Sequence, residues 1–172
     1  MRKLVFFSLV AALALPAWAA AGSPNAGDRT NAAKQCKSER QQMGLDAFKQ
    51  LYGNNANKSN AFGKCVSKLA NQNEQARSNA AAQCRAERSA DAAAFKTRYG
   101  SGKNGANAFG KCVSSKARTA EAQQLHATVN AAKQCQTERQ ADPAAFKAKY
   151  GTNANKSNAF GKCVSGKVKQ TS

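Results

Sequence analysis

Three matched pairs of cysteines constrain this chain more than any other feature. Cys36, Cys84 and Cys135 each end a block of the form Asn-Ala-Ala-x-Gln-Cys, beginning at Asn31, Asn79 and Asn130. Cys65, Cys112 and Cys163 each sit in Asn-Ala-Phe-Gly-Lys-Cys-Val-Ser, unchanged at residues 60–67, 107–114 and 158–165. Between the two blocks every copy has an aromatic pair and a glycine: Phe48/Tyr52/Gly53, Phe95/Tyr99/Gly100 and Phe146/Tyr150/Gly151. One unit is therefore written three times, and repeats at such a period mark a modular architecture.

Six cysteines allow 15 pairings. The repeat favours the symmetric one: Cys36–Cys65, Cys84–Cys112 and Cys135–Cys163. The segments between modules support it. Residues 64–88 and 111–141 hold no Gly and no Pro and are rich in Ala, Gln, Lys, Arg and Glu, which favour helix. A helix from Cys65 to Cys84 would hold those sulfurs about 28 Å apart at about 1.5 Å per residue. A disulfide needs Cα atoms within about 7 Å, so along such a helix Cys65 and Cys84 could not bond. Each intramodular bridge closes a loop of about 28 residues and contributes about 3 to 4 kcal/mol by restricting the unfolded chain. Zinc sites prefer close Cys-x2-Cys spacing, which is absent here, and the single His126 has no counterpart in the other copies.

Disulfides imply an oxidising compartment, and the N-terminus agrees. Met1-Arg2-Lys3 is a short positive stretch, Leu4 to Leu15 is uncharged and almost wholly apolar, and Ala17-Trp18-Ala19 follows Pro16. That is the pattern of a signal peptide over residues 1–19, with cleavage after Ala19 or as late as residue 21. The apolar run is too short to span a bilayer of about 30 Å as a helix, and no later run serves as a membrane span. Secretion or delivery to a periplasm is the expected fate. The mature chain then carries 25 basic residues against 9 acidic ones, a net charge of +16. It has no Ile and few Leu or Val. This composition argues for small separate cores, each with its own covalent staple.

The expected fold is all-α: a tandem array of three disulfide-stapled helical modules joined by continuous helices. A flexible N-terminal segment over residues 20–30 precedes modules at 31–78, 79–129 and 130–172. In the third copy Asn130 is positioned to cap a helix, and Asp142-Pro143 reads as an N-cap followed by Pro at the first helical position. Gly151 is expected to end the short helix in a left-handed conformation. Asn158 is expected to cap the last helix. Phe146, Tyr150, Phe160, Val164 and the disulfide would make the core. The aromatic residues lie beside lysines, a pattern that can stack nucleobases, but they are almost the only large apolar groups available to fold around. The loop Asn54 to Asn60 has polar residues at alternate positions, as a calcium loop does, yet it lacks the carboxylates such a loop requires and carries Lys58. Its asparagines suit turns and caps and could also face sugar hydroxyls.

Basic residues recur at matched places, notably Arg40/Arg88/Arg139, Lys49/Lys96/Lys147 and Lys64/Lys111/Lys162. Lys58 and Lys156 match, with Lys103 nearby. These nine lysines are the candidate anion-binding residues. Glu39/Glu87/Glu138 precede the arginines and are expected to pair with them locally. A positive potential of this size draws anionic polymers, and linked modules add avidity. The ligand classes are extracellular nucleic acid, teichoic acid, lipopolysaccharide and acidic polysaccharide. The alternative is a structural or protein-interaction array without an anionic ligand. No catalytic triad, metal cluster or phosphate-cradling loop can be assembled, so neither an enzyme nor a cofactor is expected. The run Phe146-x3-Tyr-Gly-Thr-Asn-x-Asn-Lys-x-Asn-Ala-Phe-Gly-Lys-Cys-Val-Ser resembles repeats in uncharacterised secreted bacterial proteins. The resemblance covers nearly all of the mature chain and implies the module rather than an activity.

Overall fold

The computed structural model describes residues 22–102 and 104–170. The proposed signal peptide, Met1–Ala19, and Lys103 lie outside the described residues. Those described form seven helices and no strand: α1 Ala26–Met43, α2 Leu45–Tyr52, α3 Ala61–Ala90, α4 Ala92–Tyr99, α5 Ala108–Ala141, α6 Pro143–Tyr150 and α7 Ala159–Gln170. The three disulfides are Cys36–Cys65, Cys84–Cys112 and Cys135–Cys163. Cys65 and Cys84 both lie on α3, and Cys112 and Cys135 both lie on α5. The modules are thus joined by unbroken helices. No described helix is long and apolar enough to cross a membrane.

Helix ends follow the local chemistry, with some corrections. Asn130 lies inside α5 rather than capping it, because nothing in the Gly- and Pro-free run before it breaks the helix. Residues 26–30 are helical, not flexible. Asn25 and Asp28 form a capping box there, and Arg77 from α3 pairs with Asp28 at 3.3 Å. Gly151 has φ −74° rather than a left-handed backbone. It is needed for space: a Cβ there would lie 2.6 Å from the Lys147 carbonyl oxygen. The left-handed position falls later in the loop, on Lys58 (φ 58°), Gly105 (φ 56°) and Lys156 (φ 54°), which occupy equivalent places in the three copies. Asp142 caps α6 as expected, its Oδ1 accepting from the Ala144 and Ala145 amides. Asp91 does the same for α4 through Ala94.

The modules are not strung as separate beads. α3 and α5 run against one another as a long hairpin, and α1 packs on both. α7 packs on α5, and α2 reaches across to α7. This arrangement folds the third module back onto the first. Their apolar residues form one core, in which Met43, Phe48, Tyr52, Leu69, Val129, Phe146, Phe160 and Val164 gather around Cys36–Cys65 and Cys135–Cys163. The second module sits at the other end of the hairpin with its own small core of Cys84, Phe95, Ala108 and Cys112. Three separate cores were expected, and the described residues form two. The reason is specific to the first copy. Where the second and third copies carry Arg98 and Lys149, the first carries Leu51, and Leu51 packs against the shared core. Polar bonds close the same seam: Arg139 to Asp46 at 2.9 Å and the Gln136 amide to the Met43 carbonyl at 3.1 Å.

Candidate anion-binding clefts

Each module builds the same inner constellation. The first cysteine of each pair is followed three residues later by a glutamate, placed one turn along the same helix face. That glutamate accepts a hydrogen bond from the module's tyrosine hydroxyl: Tyr52 to Glu39 at 2.5 Å, Tyr99 to Glu87 at 2.9 Å and Tyr150 to Glu138 at 2.7 Å. The tyrosine ring tilts against the preceding phenylalanine with centroids 5.0 Å apart in every copy. The neighbouring arginine does not pair with the glutamate, contrary to expectation. Arg40, Arg88 and Arg139 instead lie over the rings of Phe62, Phe109 and Phe160 at 5.9, 5.1 and 5.2 Å. A guanidinium over an aromatic face is a favourable contact, and here it seals the edge of each core.

The glutamates differ in their second partner. Glu87 receives Lys116 at 2.8 Å, and Glu138 receives Lys167 at 2.7 Å. Those ammonium groups, helped by the tyrosine hydroxyls, hold both carboxyls below the usual carboxylate range. In the first module the equivalent residue is Leu69. Glu39 is fully buried, its Oε1 has no hydrogen-bond partner, and burial pushes its carboxyl up to about 6 against the pull of Tyr52 and Lys68.

This raised value favours the protonated carboxyl in the folded state. Stability linked to Glu39 is therefore greatest below about pH 4.5 and is lost as pH rises through about 6. The difference is about 2 kcal/mol. Glu39→Gln is expected to raise Tm near neutral pH by about 4 to 8 °C and to leave it nearly unchanged at the acid end. Thermal melts across the range check this, and a variant less stable than the parent at neutral pH would contradict it.

All nine acids of the chain serve internal structure. Besides the three glutamates, Asp28, Asp91 and Asp142 cap helices. Asp46 pairs with Arg139, Glu74 accepts from Ser78 and the Gly22 amide, and Glu121 accepts from Gln35. The bases are far more numerous, and six of them line two clefts with no acid in their walls. One, of about 940 Å³, lies on the second module and is lined by Arg98, Lys111 and Arg118, with Tyr99, Ser114 and Thr119. The other, of about 460 Å³, lies where the first and third modules meet and holds Lys58, Lys68 and Lys162 among Asn54, Asn153 and Asn158.

Of the nine candidate lysines, Lys58, Lys111 and Lys162 line these clefts. Lys49, Lys64, Lys96, Lys147 and Lys156 stand outside them, and Lys103 is not described. Lys58 and Lys156 also have a local task, since their ammonium groups turn back onto the Gly53 and Gly151 carbonyls at 2.9 and 3.0 Å. Lys111 donates to Ser101 at 2.7 Å. Asn60 and Asn107 hold the N-cap positions of α3 and α5 without a side-chain cap bond, and the side chains of Asn60, Asn107 and Asn158 bind the loops instead. Each Oδ1 accepts the amide at the loop start, from Asn54, Ser101 and Thr152. None of Arg98, Arg118 and Lys68 has a basic counterpart in all three copies: Lys149 and Lys169 match Arg98 and Arg118, but the first copy has Leu51 and Asn71 there. Only the fold brings them beside residues that recur throughout. No family model matches this chain, and no curated protein or solved structure matches it.

Proposed function

We propose that this chain is an exported, non-enzymatic protein that binds anionic polymers through its two basic clefts. The observation that carries the reading is the division of charge: every acid is engaged by caps, hydroxyls, amides, lysines or arginines of the fold, while two clefts hold three bases each and no acid. No carboxylate lines either cleft. Hydroxyls and amides beside the bases, such as Ser114, Thr119, Asn153 and Asn158, supply further hydrogen bonds. Phosphate- or sulfate-bearing polymers fit this chemistry: nucleic acid, teichoic acid, lipopolysaccharide and acidic polysaccharide. Two clefts on one chain let a polymer engage both, with the avidity of a second, intramolecular contact. The three disulfides agree with an oxidising compartment, reached through the signal peptide of residues 1–19.

The test is retention of the mature, oxidised protein on heparin and DNA resins. Tight retention at low salt and sharp elution as salt rises is the expected result. Flow-through at low salt would contradict it and favour a structural or protein-interaction array instead.

A further inference from the structure

The glutamate that lost its lysine marks a second kind of site. In the second and third modules, glutamate Oε2 takes the tyrosine hydroxyl and Oε1 takes a lysine ammonium, Lys116 on Glu87 and Lys167 on Glu138. In the first module Tyr52 occupies Glu39 Oε2 in the same way. Oε1, the atom that receives the ammonium elsewhere, is buried and unpartnered, because position 69 is Leu. An orphaned buried carboxylate oxygen costs the full desolvation of that atom, so its place in the fold asks for a donor.

There is room for one. Glu39 lines a cavity of about 230 Å³ between α1, α3 and α5, walled also by Glu121, Gln72, Gln35, Leu69 and Leu125. Gln72 Oε1 is a second buried oxygen without a partner. Both orphaned atoms are acceptors. The cavity wall contains two carboxylates and no Lys or Arg, the reverse of the two basic clefts, while Leu69 and Leu125 offer an apolar side. We propose that this cavity binds a small alkylammonium ion, whose protonated primary amine takes the place on Glu39 that Lys116 and Lys167 take in the other modules and whose carbon chain lies against Leu69 and Leu125.

The titratable groups acting on Glu39 are Tyr52 of α2 and Lys68 of α3; Glu121 of α5 shares the cavity wall, with Asp28 and Arg118 acting on it. Burial raises both Glu39 and Glu121, so an ammonium must find them ionised. Binding is therefore expected to weaken about tenfold from about pH 7.5 to about pH 5.

Calorimetric titration of the oxidised mature protein with n-butylamine and 1,4-diaminobutane tests the proposal, with butan-1-ol and tetramethylammonium as controls at matched ionic strength. Saturable binding of one amine per chain, absent for both controls and weaker at low pH, is the expected result. Nα-acetyl-lysine amide separates the sources: weaker binding than butylamine identifies a free amine, and tighter binding identifies a partner's lysine side chain and overturns the choice of a small amine. Glu39→Gln should reduce affinity about tenfold or more. Leu69→Lys should abolish binding by restoring the internal ammonium. If Leu69→Lys does not fold, Glu39→Gln alone decides. Equal binding by Glu39→Gln, or a response to butan-1-ol equal to that of butylamine, would overturn the proposal.

Discussion

Replacing Cys84 and Cys112 by Ala is expected to unfold the second module while leaving the joined first and third modules folded. The bridge closes a loop of 28 residues, worth about 3 to 4 kcal/mol in chain entropy. Little else holds that end of the hairpin. Its core has Phe95 and Ala108 beside the disulfide, with Tyr99, Phe109 and Val113 only half-buried against them. The other end has a larger core and two bridges of its own. Amide exchange should lose protection through α4 and the adjoining turns of α3 and α5, and keep it in α1 and α7. One uniform loss of protection across all seven helices would show that the two cores are not separable units.

Phe48→Ala is expected to act on the opposite end. Phe48 is 1% exposed and lies in the core shared by the first and third modules. Truncating a buried Phe costs about 3 to 5 kcal/mol, a large part of the 5 to 15 kcal/mol of a typical domain. Because the core is shared, both modules should weaken together. Phe95→Ala should cost a similar amount but confine the damage to the second module. Denaturant melts followed by exchange at α6 separate these outcomes. Stability of α6 unchanged in Phe48→Ala would contradict a shared core.

The module was largely legible before its structure. Copy-to-copy identity favours one symmetric choice among the 15 possible pairings, and the helical spacing of Cys65 from Cys84 supports it. The helices follow from composition and from Asp142-Pro143. The seam between the first and third modules was not read, although Leu51 and Leu69 break the repeat at the two places that matter. Attention to what recurs hides what does not. Leu51 adds apolar surface to the shared core where the other copies are basic. Leu69 removes the lysine that would have neutralised Glu39. Arg98 and Arg118 reach the cleft of the second module for a related reason: α4 packs on α5 there, which no spacing along the chain reveals. Adjacency in sequence pairs each glutamate with the arginine that follows it. In the helix those side chains diverge, and the tyrosine thirteen or twelve residues away is the true partner.

The division of charge is the central claim, and its direct measure is the salt dependence of DNA binding by the mature protein. If phosphates enter the basic clefts, log Kobs should fall linearly with log[NaCl], with a slope of about −0.9 for each phosphate neutralised. Replacing Arg98, Lys111 and Arg118 together by Gln should flatten that slope by nearly three units while the disulfides and helices stay intact. A slope near zero in the parent, or the same slope in parent and variant, would contradict the assignment of anion binding to these clefts.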